Sequence, residues 1–252
     1  MDSISSFDPT SLEYQVDKEF APDKTVTWTT SVEEDAWVLG HKALRGELDD
    51  LLEALEKMME RGGHSEWERK SVQSLWDIHA QNTRDHHKAE KNVLFPNLQK
   101  RFISPSEVTS NHDNISEAVE KLDAMVKTYC AGNEKEEMVA LLPELVKALK
   151  EYQSLLQKQF QDEEDTMLRL CRAYFEPMEV GAYRREMMSG SSKMQMGSFV
   201  HYAFPSPQEF RTNFMSKRGM PSFVWHMKFG PAYGAFSKVF VKNMVALKAG
   251  QH

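Results

Sequence analysis

The chain has 252 residues, 40% of them hydrophobic, enough for one large domain or a domain with an appendage. Lys and Arg total 31 against 38 Asp and Glu, and the net charge of -7 argues against a general nucleic-acid binder, whose binding face would be basic. Cys130 and Cys171 lack C-x-x-C spacing, no apolar run approaches the roughly 18–20 residues of a membrane span, and the polar, acidic N-terminus lacks a secretory pattern, so a cytoplasmic protein without disulfide framework, thiolate zinc site or membrane span is expected.

Residues 1–30 read as an irregular arm, because Pro9, Pro22 and the β-branched stretch from Thr25 to Thr30 do not support a helix. Ser31 offers an N-cap, with Glu33, Glu34 and Asp35 in the first turn, where the helix dipole favours them. Trp37, Leu44, Leu48, Leu51, Leu55 and Met58 then recur at helical spacing until Gly62-Gly63 stops the first helix. Ser65 caps a second helix carrying Val72, Leu75, Trp76, His79, His86, Glu90 and Leu94, with Pro96 kinking or ending it. A third opens at Ser104-Pro105-Ser106-Glu107, presents Val108, His112, Ile115, Val119, Leu122 and Val126 on one face, and ends at Gly132-Asn133. A fourth runs from about Glu134 to about Phe175, and Pro143 inside it marks a kink or a later start. Four long amphipathic helices joined by short turns predict an all-α fold, an up-down-up-down four-helix bundle over residues 31–176.

After Pro177 glycines and prolines punctuate the chain. Short helices are expected around 179–188, 207–217 and 232–247, so residues 177–252 read as a mostly helical C-terminal appendage packed on the bundle. Met187, Met188, Phe199, Tyr202, Phe204, Phe210, Phe214, Phe223, Trp225 and Phe229 serve either ordinary packing there or the roof of a substrate pocket.

The placement of the histidines carries the chemistry. His79, His86 and Glu90 fall within a narrow stripe of the second helix, and His86 and Glu90 are one turn apart, the spacing at which a helix offers imidazole and carboxylate to one metal or a metal pair. His41 and His112 sit on the apolar faces of the first and third helices. One inward histidine is usually a satisfied core residue. Three helices each bringing one need a shared polar partner, and a metal ion supplies it. His87 is about 100° from His86 around the helix, and His79 lies about 16 Å from Glu90 along the axis, so both are secondary candidates for the surroundings of the site.

The segment His86-His87-Lys88-Ala89-Glu90-Lys91-Asn92-Val93-Leu94-Phe95-Pro96 resembles the second-helix signature of the hemerythrin-like, or HHE cation-binding, family. Gly40-His41-Lys42-Ala43-Leu44-Arg45, Asn111-His112-Asp113-Asn114-Ile115 and Gln161-Asp162-Glu163-Glu164-Asp165-Thr166-Met167-Leu168 are similar to its other three helix motifs. The resemblance covers about residues 31–175 and implies a di-iron centre in a four-helix bundle. Carried over position by position, His41, His86, Glu90, His112 and Glu163 match metal-ligand positions, with the two glutamates as bridging carboxylates.

The chain departs from the family pattern in its fourth helix, where Gln159 stands in place of a histidine four before Glu163. A register shifted to Glu164 would place Phe160 there. The third helix has Ser116 rather than a second histidine four after His112. Fewer nitrogen ligands leave coordination positions open, and Gln159 is a candidate weak ligand through its amide oxygen. Two irons are expected; one iron, manganese or zinc are the alternatives, because imidazole with carboxylate suits all three metals. The expected function is a module that binds dioxygen or another small diatomic ligand, or responds to oxygen, iron or redox state. The alternative is a di-iron oxidase or oxygenase acting on a small organic substrate held between the bundle and the C-terminal segment.

Overall fold

The computed structural model describes residues 8–16, 21–22, 27–132 and 135–251. Much of the arm expected over 1–30, the predicted helix limits at Asn133 and Glu134, and His252 lie outside the described residues. Among the described residues every regular element is helical, and the only extended pairing is an isolated bridge between Gln15 and Phe102.

Helix α1 spans Ala36–Arg61. Its cap is Asp35 rather than the expected Ser31: the Asp35 carboxylate accepts the Trp37 N–H at 3.0 Å. Arg172 and Arg184 fix that carboxylate at 3.2 and 2.8 Å, so the buried, doubly paired acid outcompetes an exposed serine for the helix start. Helix α2, Glu66–Ala89, starts where expected, with Glu68 accepting from both the backbone N–H and the hydroxyl of Ser65. It continues through a wide turn, Glu90–Leu94, into Phe95–Leu98. Helix α3 is Ser106–Ala131, and α4 is Lys135–Asp162, followed by a second wide turn, Glu163–Met167, and the segment Leu168–Tyr174. α4 runs through Pro143 without a restart, because Met138, Leu142 and Leu145 on either side of the proline are all buried in one core.

Leu48, Leu51 and Leu55 of α1, Leu75 and Trp76 of α2, Val119 and Leu122 of α3, and Leu149 and Leu156 of α4 share that core. α1 packs against α2 and α4, and α3 against α2 and α4, so each long helix has two long neighbours. Fully burying one such leucine is worth roughly 1.5–3 kcal/mol relative to exposure.

The C-terminal residues add α5 (Pro177–Ser189), α6 (Lys193–Ala203), α7 (Gly230–Phe236) and α8 (Lys242–Ala249), with irregular helical turns between α6 and α7 and between α7 and α8. Phe236, Phe240, Met244 and Leu247 enter the same core as the long helices, so the apolar face of the last helices is covered by α1. No helix among the described residues is long and apolar enough to cross a membrane.

The sequence reading missed α6, whose segment KMQMGSFVHYA has a glycine in its middle. Gly197 is there for close approach: a Cβ at this position would overlap the Ala232 carbonyl and Phe236. Of the aromatic residues considered as a pocket roof, Phe204, Phe210, Phe214, Trp225 and Phe229 pack together with Phe199 in an apolar cluster of their own. Tyr202 packs onto the main core, and Phe223 is exposed.

Candidate metal centre

Two carboxylates stand where two long helices lose their regular winding. After Ala89 the Phe95 N–H reaches back five residues to the Glu90 carbonyl, and after Asp162 the Leu168 N–H reaches back to the Glu163 carbonyl. The first widening precedes Pro96, whose ring would press on the carbonyl four residues back and which has no N–H to give. At the second, the Thr166 hydroxyl donates to the Asp162 carbonyl and enters the helical ladder. Three more wide turns, Phe210–Met215, Trp225–Phe229 and Ser237–Val241, lie among the C-terminal residues, so it is the two carboxylates and not the winding alone that mark this place.

The widened turns carry Glu90 and Glu163, both fully buried, into the space between α1, α2, α3 and α4. His41 of α1 lies with Nε2 3.1 Å from Glu163 Oε2 and 3.7 Å from Glu90 Oε1. His86 of α2 holds Nε2 2.9 Å from Glu90 Oε1. His112 of α3 approaches from the other side, Nε2 2.9 Å from Glu163 Oε1 and 3.8 Å from Glu90 Oε2. Each carboxylate thus turns one oxygen toward His41 and the other toward His112. His87 adds its ring beside His112, centroids 4.5 Å apart. Two overlapping groups result, His41, His86, Glu90 and Glu163 on one side and His87, Glu90 and His112 on the other, each with candidate ligand atoms within 4.8 Å of one another.

Burial and charge oppose each other throughout the cluster. Burial disfavours a charged His41, but Glu163, Glu164 and Glu90 outweigh it and raise the ring to about 10. His112 is also raised: burial opposes its charge, and the hydrogen bond and charge of Glu163 and the charge of Glu90 prevail. His87 is dominated by burial and pushed down to about 4, which keeps its ring neutral at pH 7. Glu90 and Glu163 are both held below the usual carboxylate range: burial would raise them, and the surrounding histidines more than compensate.

The polar atoms left over identify what the site fits. His41 Nε2, His86 Nε2, His87 Nε2, Glu90 Oε2, Glu163 Oε2 and Gln159 Oε1 are all buried without a hydrogen-bond partner. Unsatisfied buried polar atoms are rare in folded proteins and costly, and six in one spot need a cause. Several lie about 3 Å from a neighbour yet are not aligned for a hydrogen bond, which is the separation of two ligands sharing one ion at bonds of roughly 2.0–2.2 Å. Neutral imidazoles and ionised carboxylates are the donor set of a divalent or trivalent cation, and these residues fit one.

Neighbouring groups hold the candidate ligands. The Trp37 indole N–H donates to Glu90 Oε1 at 2.6 Å. Glu164 Oε1 takes His41 Nδ1 at 2.8 Å and Arg45 at 2.8 Å, so the His41 ring is oriented with Nε2 toward the carboxylates. Phe160 stacks flat on His41, with centroids 4.1 Å apart. The Gln159 amide nitrogen donates to Glu163 Oε1 and to the Val108 carbonyl at 3.2 Å, holding the carboxylate while its own oxygen stays unpaired.

All five residues singled out first, His41, His86, Glu90, His112 and Glu163, come together. His79 does not join them. It lies in a separate buried network, bonded to Glu47 at 2.9 Å and Tyr152 at 3.1 Å, with Asn82 donating to Glu47 at 2.6 Å. The sequence reading did not single out Trp37, Arg45 or Phe160. The available signal was position: Trp37 and Arg45 flank His41 by one helical turn on each side.

A family model described as the hemerythrin HHE cation binding domain matches residues 33–171. No curated protein and no solved structure matches the chain.

Proposed function

As the chain belongs to the hemerythrin HHE cation-binding domain family, we propose that it is a non-haem two-iron protein that binds dioxygen or a similar diatomic ligand. The observation that carries this reading is the two-sided display of Glu90 and Glu163, each with one oxygen toward His41 and the other toward His112. His41 and His86 would hold one ion, His87 and His112 the other, and the two glutamates would bridge them. The long helices would form an up-down-up-down bundle around the pair, as their mutual packing supports. Two unpaired thiols suit a reducing compartment, and the cytoplasm is the location we propose.

A bound iron pair would supply reversible electron exchange with a diatomic ligand. The protein residues do the rest. Trp37 and Gln159 fix the carboxylates, Glu164 fixes the His41 tautomer, and Phe95 and Phe160 pack on the rings of His112 and His41. Imidazole and carboxylate would also accept manganese or zinc, and family membership supports iron.

One observation favours a second reading, an oxidase or oxygenase. A cavity lies beside His86 and Trp37, walled on its far side by Met187, Met188 and Phe199 of the C-terminal helices. A small organic molecule seated there would border the metal centre.

Anaerobic purification followed by elemental analysis and a visible spectrum on admitting air tests the proposal. About two irons per chain with a spectral change reversed by removing air supports the diatomic-ligand reading. Irreversible loss of colour supports the oxidase. Failure to retain stoichiometric metal overturns both.

A further inference from the structure

The cavity beside His86 has the makings of a selective site. It holds about 90 Å³, room for roughly three waters at about 30 Å³ each or an organic molecule of a few heavy atoms. Most of its wall is apolar, from Leu44, Leu94, Met187, Met188, Met196 and Phe199. Two polar side chains in the wall are buried with nothing to bond: Asn82 Oδ1 and Ser198 Oγ, on residues only 1% and 2% exposed. Glu47, fully buried, also lines it. Its two oxygens are already engaged by Asn82 and His79, and spare lone pairs are what it adds to the wall.

The wall thus offers one lone acceptor, Asn82 Oδ1, and one hydroxyl, Ser198 Oγ, that can donate or accept. Arg184, also in the wall, lies 2.8 Å from Asp35, and its Nε and Nη2 make no hydrogen bond. At Gly40 a Cβ would stand 3.7 Å from His86 Cε1, so the glycine leaves that ring open to the cavity.

We propose that this cavity binds a small, largely apolar molecule carrying a hydrogen-bond-donating head group, an alcohol or amine, with the head on Asn82, Ser198 and Glu47 and the body against Met187 and Phe199. The body then lies beside His86. The proposal deepens the oxidase reading by giving the substrate class, and as a substrate site it rests on that reading. Binding itself requires no metal. An apolar isostere leaves Asn82 Oδ1 unpaired and is discriminated against.

Calorimetric titration of the metal-free full chain with butan-1-ol, butan-1-amine and pentane tests it. Butan-1-ol or butan-1-amine should bind at least tenfold more tightly than pentane. Asn82→Leu should remove that preference, and Met187→Trp, which fills the cavity from the C-terminal side, should abolish binding even if the first variant folds poorly. Pentane binding as tightly as the alcohol, or undiminished binding to Met187→Trp, would overturn the proposal. Because the titration uses metal-free protein, an absent metal centre shows in elemental analysis and a wrong cavity assignment shows here.

Discussion

Glu90 and Glu163 each occupy the first position of a wide helical turn, on two different helices, and face each other across one buried site. The correspondence joins backbone irregularity to chemistry. A regular helix of 3.6 residues per turn cannot present His86 and Glu90 to the site and also Leu94, Phe95 and Leu98 to the core beneath it without the extra residue.

Removing that residue should therefore remove the metal. Deletion of the exposed Lys91 alters no candidate ligand, yet it restores regular winding and turns Glu90 away from the core register. Iron per chain after reconstitution should fall at least tenfold while the circular dichroism stays helical. Full iron retention in this variant would show that the wide turn is incidental.

Trp37 is predicted to tune the centre without building it. Trp37→Phe keeps an apolar ring but removes the donor to Glu90 Oε1. Loss of such a supporting hydrogen bond typically costs 10–100-fold in metal affinity. Competition against a chelator should register a drop in that range, with the fold intact by circular dichroism.

At Gln159 the expected change is a gain. Gln159→His supplies a ring nitrogen where the amide now holds Glu163. The variant should retain more iron than the parent after dialysis against chelator and show a shifted visible spectrum. Unchanged retention and spectrum would mean that this position lies outside the reach of the metal.

Protons and metal compete for the same atoms. With His41 raised to about 10 and His112 raised as well, the metal-free site carries protons at pH 7 that a cation must displace. Loading should release protons, and affinity should increase from pH 6 to pH 8. The sign for stability follows from the raised His41: its contribution is complete below its ordinary value of 6.5 and is lost as pH rises through about 10. Metal-free protein should melt several degrees lower at pH 10 than at pH 7, a shift on the order expected for a few kcal/mol. The metal-loaded form should lose less over that range.

The helices and four of the five central candidates were legible in the sequence because both depend on local spacing: leucines at helical intervals, His41 and His112 on apolar faces, and His86 and Glu90 one turn apart. The family resemblance located Glu163, which spacing alone did not. The wide turns were not legible, since a reading at 3.6 residues per turn assumes the regularity they break. His87 was ranked only as a secondary candidate for being about 100° from His86. That argument assumes a single point of convergence, whereas the cluster is elongated and its far side, at His112, is where His87 arrives. Trp37 and Glu90 are 53 residues apart, and no local pattern announces their bond. α6 was hidden by Gly197, whose purpose is visible only once α7 lies against it.

Diffraction collected at the iron absorption edge, on crystals of protein reconstituted with ferrous iron, tests the central claim most directly. Two anomalous peaks are predicted between Glu90 and Glu163, one beside His41 and His86 and the other beside His87 and His112. A single peak, or none between these carboxylates, would contradict the account.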